Sequence, residues 1–264
     1  MSLFYRVIDP QTGHPTHAVV RDGRFCRVET PFEALVDVVH GDRELAVGDE
    51  LGPEGELEVL APVAPSKVVC IGLNYQKHAE EMNKTIPDEP LMFMKPPTAV
   101  IGPGDAIELP AQSELVHHEG ELAVVIGKRS KRLEPEESSG VILGYTCAND
   151  VTARDIQRRE KRYTRGKGFD TFCPLGPAVA TADNFLPAEH TLVLQVDGQE
   201  RQRSQLNDFI FGIEYVVAFV SQVMTLEAGD VILTGTPHGV GPLEPGNVVS
   251  VEIDGIGRLE NPVE

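Results

Sequence analysis

The chain has 264 residues, 41% of them hydrophobic, with 25 glycines and 20 prolines; that is enough to bury one large core, and the turn formers favour short strands over long helices. A formal charge of −18 repels phosphate backbones, which excludes nucleic acid as a partner and obliges any anionic substrate to find cations inside its own site. The apolar runs fall well short of a membrane span and the first residues lack the basic and apolar regions of a signal peptide, so a soluble cytoplasmic protein with no membrane partner is expected.

Residues 4–8, 17–20 and 24–28 read as short strands, the last two joined by Asp22-Gly23, a dipeptide suited to a tight hairpin. Cys26 is the first of four cysteines, with Cys70, Cys147 and Cys173; no two form a C-x-x-C pair, which predicts free, mostly buried thiols. Thr30 and Pro31 stand where a cap and a first helical residue belong, so a short helix over 31–39 is expected. Alternation at 56–60 adds a strand. Residues 61–66, Ala-Pro-Val-Ala-Pro-Ser, form a linker because proline withholds ladder donors. The chain therefore divides into a small N-terminal β-rich domain, residues 1–60, and a larger one, residues 67–264.

Residues 67–72 form a buried strand and 76–83 a short helix on which His78 and Glu81, three apart, face the same way. Alone, such a pair belongs to a solvated surface more often than to a catalytic site. The polar, proline-punctuated segment 84–90 suits a lid, and strands are expected at 91–94, 99–101 and 106–109. The run Glu119-Gly120-Glu121-Leu122-Ala123-Val124-Val125-Ile126-Gly127 then reads as a strand, with β-branched residues following two acids. Side chains two apart share a face with Cα atoms about 6.5 Å apart, so Glu119 and Glu121 converge. Because the strand continues apolar on both faces, the acids belong near the interior, where like charges need compensation and a divalent cation is the simplest one; a solvated sheet edge is the alternative. His117 falls on the same face, but an oxygen set already suits a hard cation.

A strand over 141–148 ends at Asp150, which either caps a helix running from 151 towards 162 or joins the glutamates as a third carboxylate. Arg158, Arg159 and Arg162 fit a solvated face of that helix. Gly166 and Gly168 bracket Lys167 and let backbone and ammonium approach a ligand closely. Residues 192–196 and 201–203 form a second hairpin, 207–224 a helix apolar nearly all round, and 231–233 a core strand feeding the loop 234–242. A third hairpin, 248–253 with 257–260, closes the chain.

Five motifs in order carry a resemblance: Gly72-Leu73-Asn74-Tyr75-Gln76-Lys77-His78-Ala79-Glu80-Glu81, Glu119-Gly120-Glu121-Leu122, Asn149-Asp150-Val151-Thr152-Ala153-Arg154-Asp155, Lys167-Gly168-Phe169-Asp170 and Leu233-Thr234-Gly235-Thr236-Pro237. From residue 67 to the C-terminus the chain resembles the fumarylacetoacetate hydrolase family. The resemblance implies an α+β, mainly β fold, a mixed β-sheet roll that is generally a homodimer. It also implies Mg²⁺ or Mn²⁺ held by Glu119, Glu121 and Asp150, substrate bound and polarised by Lys167, and contacts to its oxygens from Arg154, Gln157 and Thr236. His78 and Glu81 resemble the family's water-activating pair on a lid helix. The implied substrate is a small anionic 2-oxo acid, which chelates a hard cation that then stabilises its enolate. Carbon–carbon bond hydrolysis of an acylpyruvate-type 2,4-dioxo acid is the leading expectation. Isomerisation of a 2-hydroxyhepta-2,4-diene-1,7-dioate-type acid or decarboxylation of an oxaloacetate-type acid, in aromatic catabolism, is the alternative. His117-His118 replaces the acidic and aromatic residues that many members carry before the first glutamate, which alters the surroundings of the ligands.

Overall fold

In the computed structural model, which describes residues 3–264, strands β1 (Leu3–Ile8), β2 (Pro15–Arg21) and β3 (Arg24–Val28) form an antiparallel meander with Asp22 and Gly23 at its second turn. The helix expected over 31–39 is a 3₁₀ turn, Phe32–Ala34, running into α1 (Leu35–Val39). Thr30 does not cap it: its hydroxyl accepts the Ala46 N–H at 2.9 Å and ties down the loop beyond the helix. β4 (Val47–Pro53) is a strand the sequence does not announce, since its glycines, acids and proline are poor strand formers. It forms an edge, where two register shifts against β3 absorb the misfit. Of the strand expected at 56–60 only β5 (Val59–Leu60) forms, paired with β1.

β6 (Val68–Gly72), α2 (Gln76–Glu81) and β7 (Leu91–Lys95) follow as expected, then β8 (Val100–Ile101). No strand forms at 106–109. Ile107 instead lies along the C-terminus, its N–H donating to Pro262 O at 2.8 Å and its carbonyl accepting the Glu264 N–H at 2.9 Å. β9 (Val116–His118) leads through Glu119 into β10 (Gly120–Ile126), which pairs with β11 (Ile142–Asn149). The next helix starts later than expected because β12 (Thr152–Ala153) bridges to β9 first; α3 (Arg154–Glu160) and the separate α4 (Tyr163–Lys167) come after it.

β13 (Cys173–Thr181) forms although Pro174, Gly176 and Pro177 suit a strand interior poorly. It persists because its register with β11 breaks after Gly176 and resumes at Ala180, so Pro177 falls in the irregularity and withholds no ladder donor there. β14 (Thr191–Val196) and β15 (Gln199–Gln205) form the expected hairpin, α5 (Ile213–Val223) is shorter than the 207–224 pattern, and β16 (Val231–Leu233), β17 (Gly241–Pro242), β18 (Val248–Ile253) and β19 (Gly257–Pro262) complete the chain. Residues ahead of α5 are held irregular by Asn74, whose side chain accepts the Phe211 N–H at 2.7 Å and donates to the carbonyls of Phe211 and Thr234.

The main sheet runs β4-β3-β2-β1-β13-β11-β10-β16-β6-β7, with β5 and β8 attached to β1 and β13; smaller sheets are β12-β9-β17 and β15-β14-β18-β19. Pairing is mixed: β16 runs parallel to β6 and β8 to β13, and the rest are antiparallel. The fold is mainly β with short helices, as expected. In β10, Leu122, Val124 and Ile126 pack into one apolar core while Ala123 and Val125 pack into another on the opposite face. That second core also takes Phe4, Val19 and Leu35 from the N-terminal strands and helix. The four cysteines are free and three are buried. Among the described residues no helix is long and apolar enough to cross a membrane.

Candidate active site

Glu121 shares the face of Ala123 and Val125, at the end of β10 where the apolar residues stop. The β10–β11 register pairs Glu121 with Ala148 and Gly120 with Asn149, and the next step sets Glu119 opposite Asp150, whose N–H donates to Glu119 O at 2.8 Å. Ala148 faces the same core, so Asp150, two residues on, points to the same side. Ligating oxygens of Glu119, Glu121 and Asp150 consequently lie within 4.8 Å of one another, and all three residues are buried. Asp150 caps no helix: Ala153 precedes α3 without a side-chain cap bond.

Cations offset this buried charge. Lys167, at the end of α4, donates to Glu119 Oε2 at 2.8 Å and also to Asp150 Oδ2. Arg154 pairs with Glu119 Oε1 and donates to Gln157 Oε1 at 2.6 Å. Lys95 of β7, a partner that sequence reading missed, donates to Asp150 Oδ1 at 2.6 Å from a fully buried position. Among the described residues Glu121 has only the Gly235 N–H, at 2.7 Å on Oε2. Burial pushes the Glu119 carboxyl up, but Lys167 and Arg154 outweigh it and hold it below the usual carboxylate range. Burial, with Asp150 and Glu119 as like charges, pushes Glu121 well above that range. Burial opposes the charge on Lys167, and Asp150 and Glu119 overcome it, raising its ammonium above the ordinary value.

A cavity of about 460 Å³ opens over the three acids; His78, Arg154, Gln157, Lys167 and Thr236 line it with them. His78 is buried, with Nδ1 3.1 Å from Glu81 Oε2. Glu81 stands behind His78 rather than in the cavity wall, its other oxygen accepting the Gly239 N–H at 3.0 Å. Gly239 has φ +96°, and a Cβ there would meet Arg201 O at 2.2 Å, so only glycine brings that amide to Glu81. Thr236 already donates its hydroxyl to Gly120 O at 2.8 Å and accepts from Gln202 at 2.8 Å.

Gln202 escaped sequence reading because a lone glutamine on a hairpin carries no pattern. It is buried and accepts the Gly120 N–H at 2.9 Å, between the two glutamates, while donating to Thr236 and to Pro237 O at 2.8 Å. His118 lies 3.4 Å from its oxygen. His117 is outside the group of three acids; burial, with Arg154 nearby, pushes it down to about 4. Arg159 and Arg162 are exposed as expected. Arg158 is exposed as well, and with Lys161 it lines the mouth of the cavity. Met82, just before the polar segment read as a lid, and Lys84, its first residue, line it as well.

Residues 67–264 match the family model described as fumarylacetoacetate (FAA) hydrolase C-terminal. The mitochondrial oxaloacetate tautomerase FAHD2A of Bos taurus is 44% identical over 242 residues, covering 88% of this chain and 76% of its own. A 2-hydroxyhepta-2,4-diene-1,7-dioate isomerase from Mycobacterium marinum is 39% identical with a TM-score of 0.86, covering 100% of this chain and 98% of its own. A fumarylacetoacetate hydrolase from Exiguobacterium antarcticum is 36% identical with a TM-score of 0.85, covering 100% and 99%. A matched span of that length, with these relatives sharing the whole architecture, makes the chain an enzyme of the fumarylacetoacetate hydrolase family.

Proposed function

We propose that this enzyme moves a proton at C3 of a small 2-oxo acid, interconverting its keto and enol forms or shifting its double bond. The observation that carries the reading is one cavity lined by both a three-carboxylate cluster and His78, with Glu81 behind the imidazole at 3.1 Å. The relatives named for tautomerisation, isomerisation and hydrolysis share enolate chemistry, and the first two need only a base and a means of stabilising oxyanion charge.

The donor set fits a hard divalent cation: three buried carboxylates converge, and Glu121 keeps one oxygen without a protein partner among the described residues. Glu119, Glu121 and Asp150 would hold Mg²⁺ or Mn²⁺, which when bound supplies a Lewis acid for the substrate's oxygens. Arg154, positioned by Gln157, meets the substrate carboxylate, and Lys167 offsets charge on the 2-oxo oxygen. With Nδ1–H donated to Glu81, His78 leaves Nε2 free to take the C3 proton and return it. Thr236 shapes the wall and retains a lone pair. Residues 67–264 form the catalytic domain in this reading; residues 1–60 support it by packing, and the protein works as a homodimer in the cytoplasm.

Hydrolysis of an acylpyruvate-type 2,4-dioxo acid is the second reading, favoured because the same Glu81-oriented His78 can take a proton from attacking water. Oxaloacetate and an acylpyruvate assayed side by side with Mg²⁺ or Mn²⁺ separate the two. Enzyme-dependent keto–enol exchange, followed as deuterium entry at C3 and lost in His78→Ala, is expected. Acylpyruvate cleavage without such exchange selects the hydrolase, and turnover of neither refutes both.

A further inference from the structure

Along α3 and its C-terminal cap, Arg154, Gln157, Arg158 and Lys161 recur at helical spacing, and all four line the cavity. Arg154 is buried at the acid cluster, whereas Arg158 and Lys161 are exposed at the mouth. The inner cations are engaged: Arg154 with Glu119, and Lys167 with Glu119 and Asp150. The outer ones, Arg158, Lys161 and Lys84, have no side-chain ion pair or hydrogen bond among the described residues. In a protein of net charge −18, the cavity nevertheless carries five cationic side chains against three acids. Three unpaired cations around one opening make a locally positive rim that attracts an anion.

Resting on the reading of the site as one for 2-oxo acids, we propose that Arg158 is a specificity-determining residue that receives the second carboxylate of a 2-oxo dicarboxylate. A rise of about 1.5 Å per residue puts its Cα about 6 Å along the helix from that of Arg154. With C–C bonds of about 1.5 Å, four- and five-carbon diacids separate their carboxylates by roughly 4–5 Å. One turn of α3 therefore matches one such molecule, its 2-oxo end at the acid cluster and its distal end at the Arg158 guanidinium. Lys161, a further turn out, serves longer diacids. A monocarboxylate fills the inner half and leaves Arg158 in water, so the contribution appears only with the second charge.

The test is calorimetry on the full chain with Mg²⁺, using a matched pair of probes: 2-oxoglutarate and 2-oxopentanoate, which differ only in carboxylate against methyl at the distal carbon. Oxalate tests the inner half alone. The wild type should bind 2-oxoglutarate about tenfold more tightly than 2-oxopentanoate, the lower end for a charge-assisted hydrogen bond because the rim is wet. Arg158→Gln should erase that gap while leaving oxalate and 2-oxopentanoate within about twofold, since an exposed side chain carries little of the fold. Arg158→Lys should keep part of the gap, and Arg159→Gln, outside the cavity, all of it. A preference for the diacid that survives Arg158→Gln overturns the proposal. Equal binding of the two probes by the wild type overturns it while leaving the 2-oxo acid reading intact. Binding of neither probe nor oxalate overturns both.

Discussion

Replacing Glu121 with glutamine should make the protein more stable without divalent cations and less stable, relative to wild type, with them. Glu121 is 2% exposed, and its ligating oxygen lies within 4.8 Å of those of Glu119 and Asp150. At an effective dielectric of about 20, each like-charged pair at that distance costs about 3.5 kcal/mol. Lys167 returns roughly one such pair, and proton uptake by the raised Glu121 carboxyl relieves part of the other, leaving about 1–2 kcal/mol for the amide to recover. Glutamine keeps the shape and an oxygen for the Gly235 N–H, so little is lost in exchange. A cation at about 100 times its Kd stabilises the wild type by about 2.7 kcal/mol, and a variant short of one anionic ligand gains much less, so the rank order reverses. Urea unfolding with EDTA, with Mg²⁺ and with Mn²⁺ reads both limbs. A variant less stable than wild type in EDTA, or one that keeps the full cation-induced shift, would refute the reasoning.

Gln202→Met retains length but abandons the Gly120 N–H and the Pro237 carbonyl in a buried place, so a loss of roughly 3 kcal/mol is expected, at about 1–3 kcal/mol per orphaned group. Urea midpoints measure it, and a loss below about 1 kcal/mol would show that the two groups find other partners. His17 packs against Phe32 at 5.1 Å between ring centroids and its Nε2 has no hydrogen-bond partner among the described residues; burial first, then Arg6, hold its pKa below the ordinary value. The unfolded chain therefore binds the proton more readily, so the His17 contribution is fully present above the unfolded pKa of about 6.5 and is lost as pH falls through the lower folded value. His17→Phe should flatten the fall in urea midpoint between neutral and mildly acidic pH; a variant that tracks the wild type over that range rules His17 out as a source.

Where a structural decision depends on a few adjacent residues, the sequence was legible. Asp22-Gly23 at a hairpin, the alternation that sends Glu119 and Glu121 to one side of β10, and the placing of His78 and Glu81 on one face of α2 follow from local φ/ψ preferences and from periods of 2 and 3.6. The five motifs, each weak alone, identified the family because their order along the chain is improbable by accident. Legibility failed where distant segments settle the matter. No local pattern marks β13, which carries two prolines, yet a register break against β11 lets it stand beside β1 and β11 in the middle of the main sheet.

For the site, the sequence alone singled out the candidate side chains and which of them share a strand or a helical turn. The fold decided how they compensate one another. Pairing across the β10–β11 hairpin, not the cap preference of an aspartate, turned Asp150 towards Glu119. Lys95 and Gln202 entered from β7 and β15, and the exposed Arg158 came to stand at the cavity mouth. The physical reason is range: backbone preference acts over one to four residues, whereas a buried charge or orphaned amide is satisfied by whichever group the packed chain brings within about 3 Å, however far along the sequence it lies.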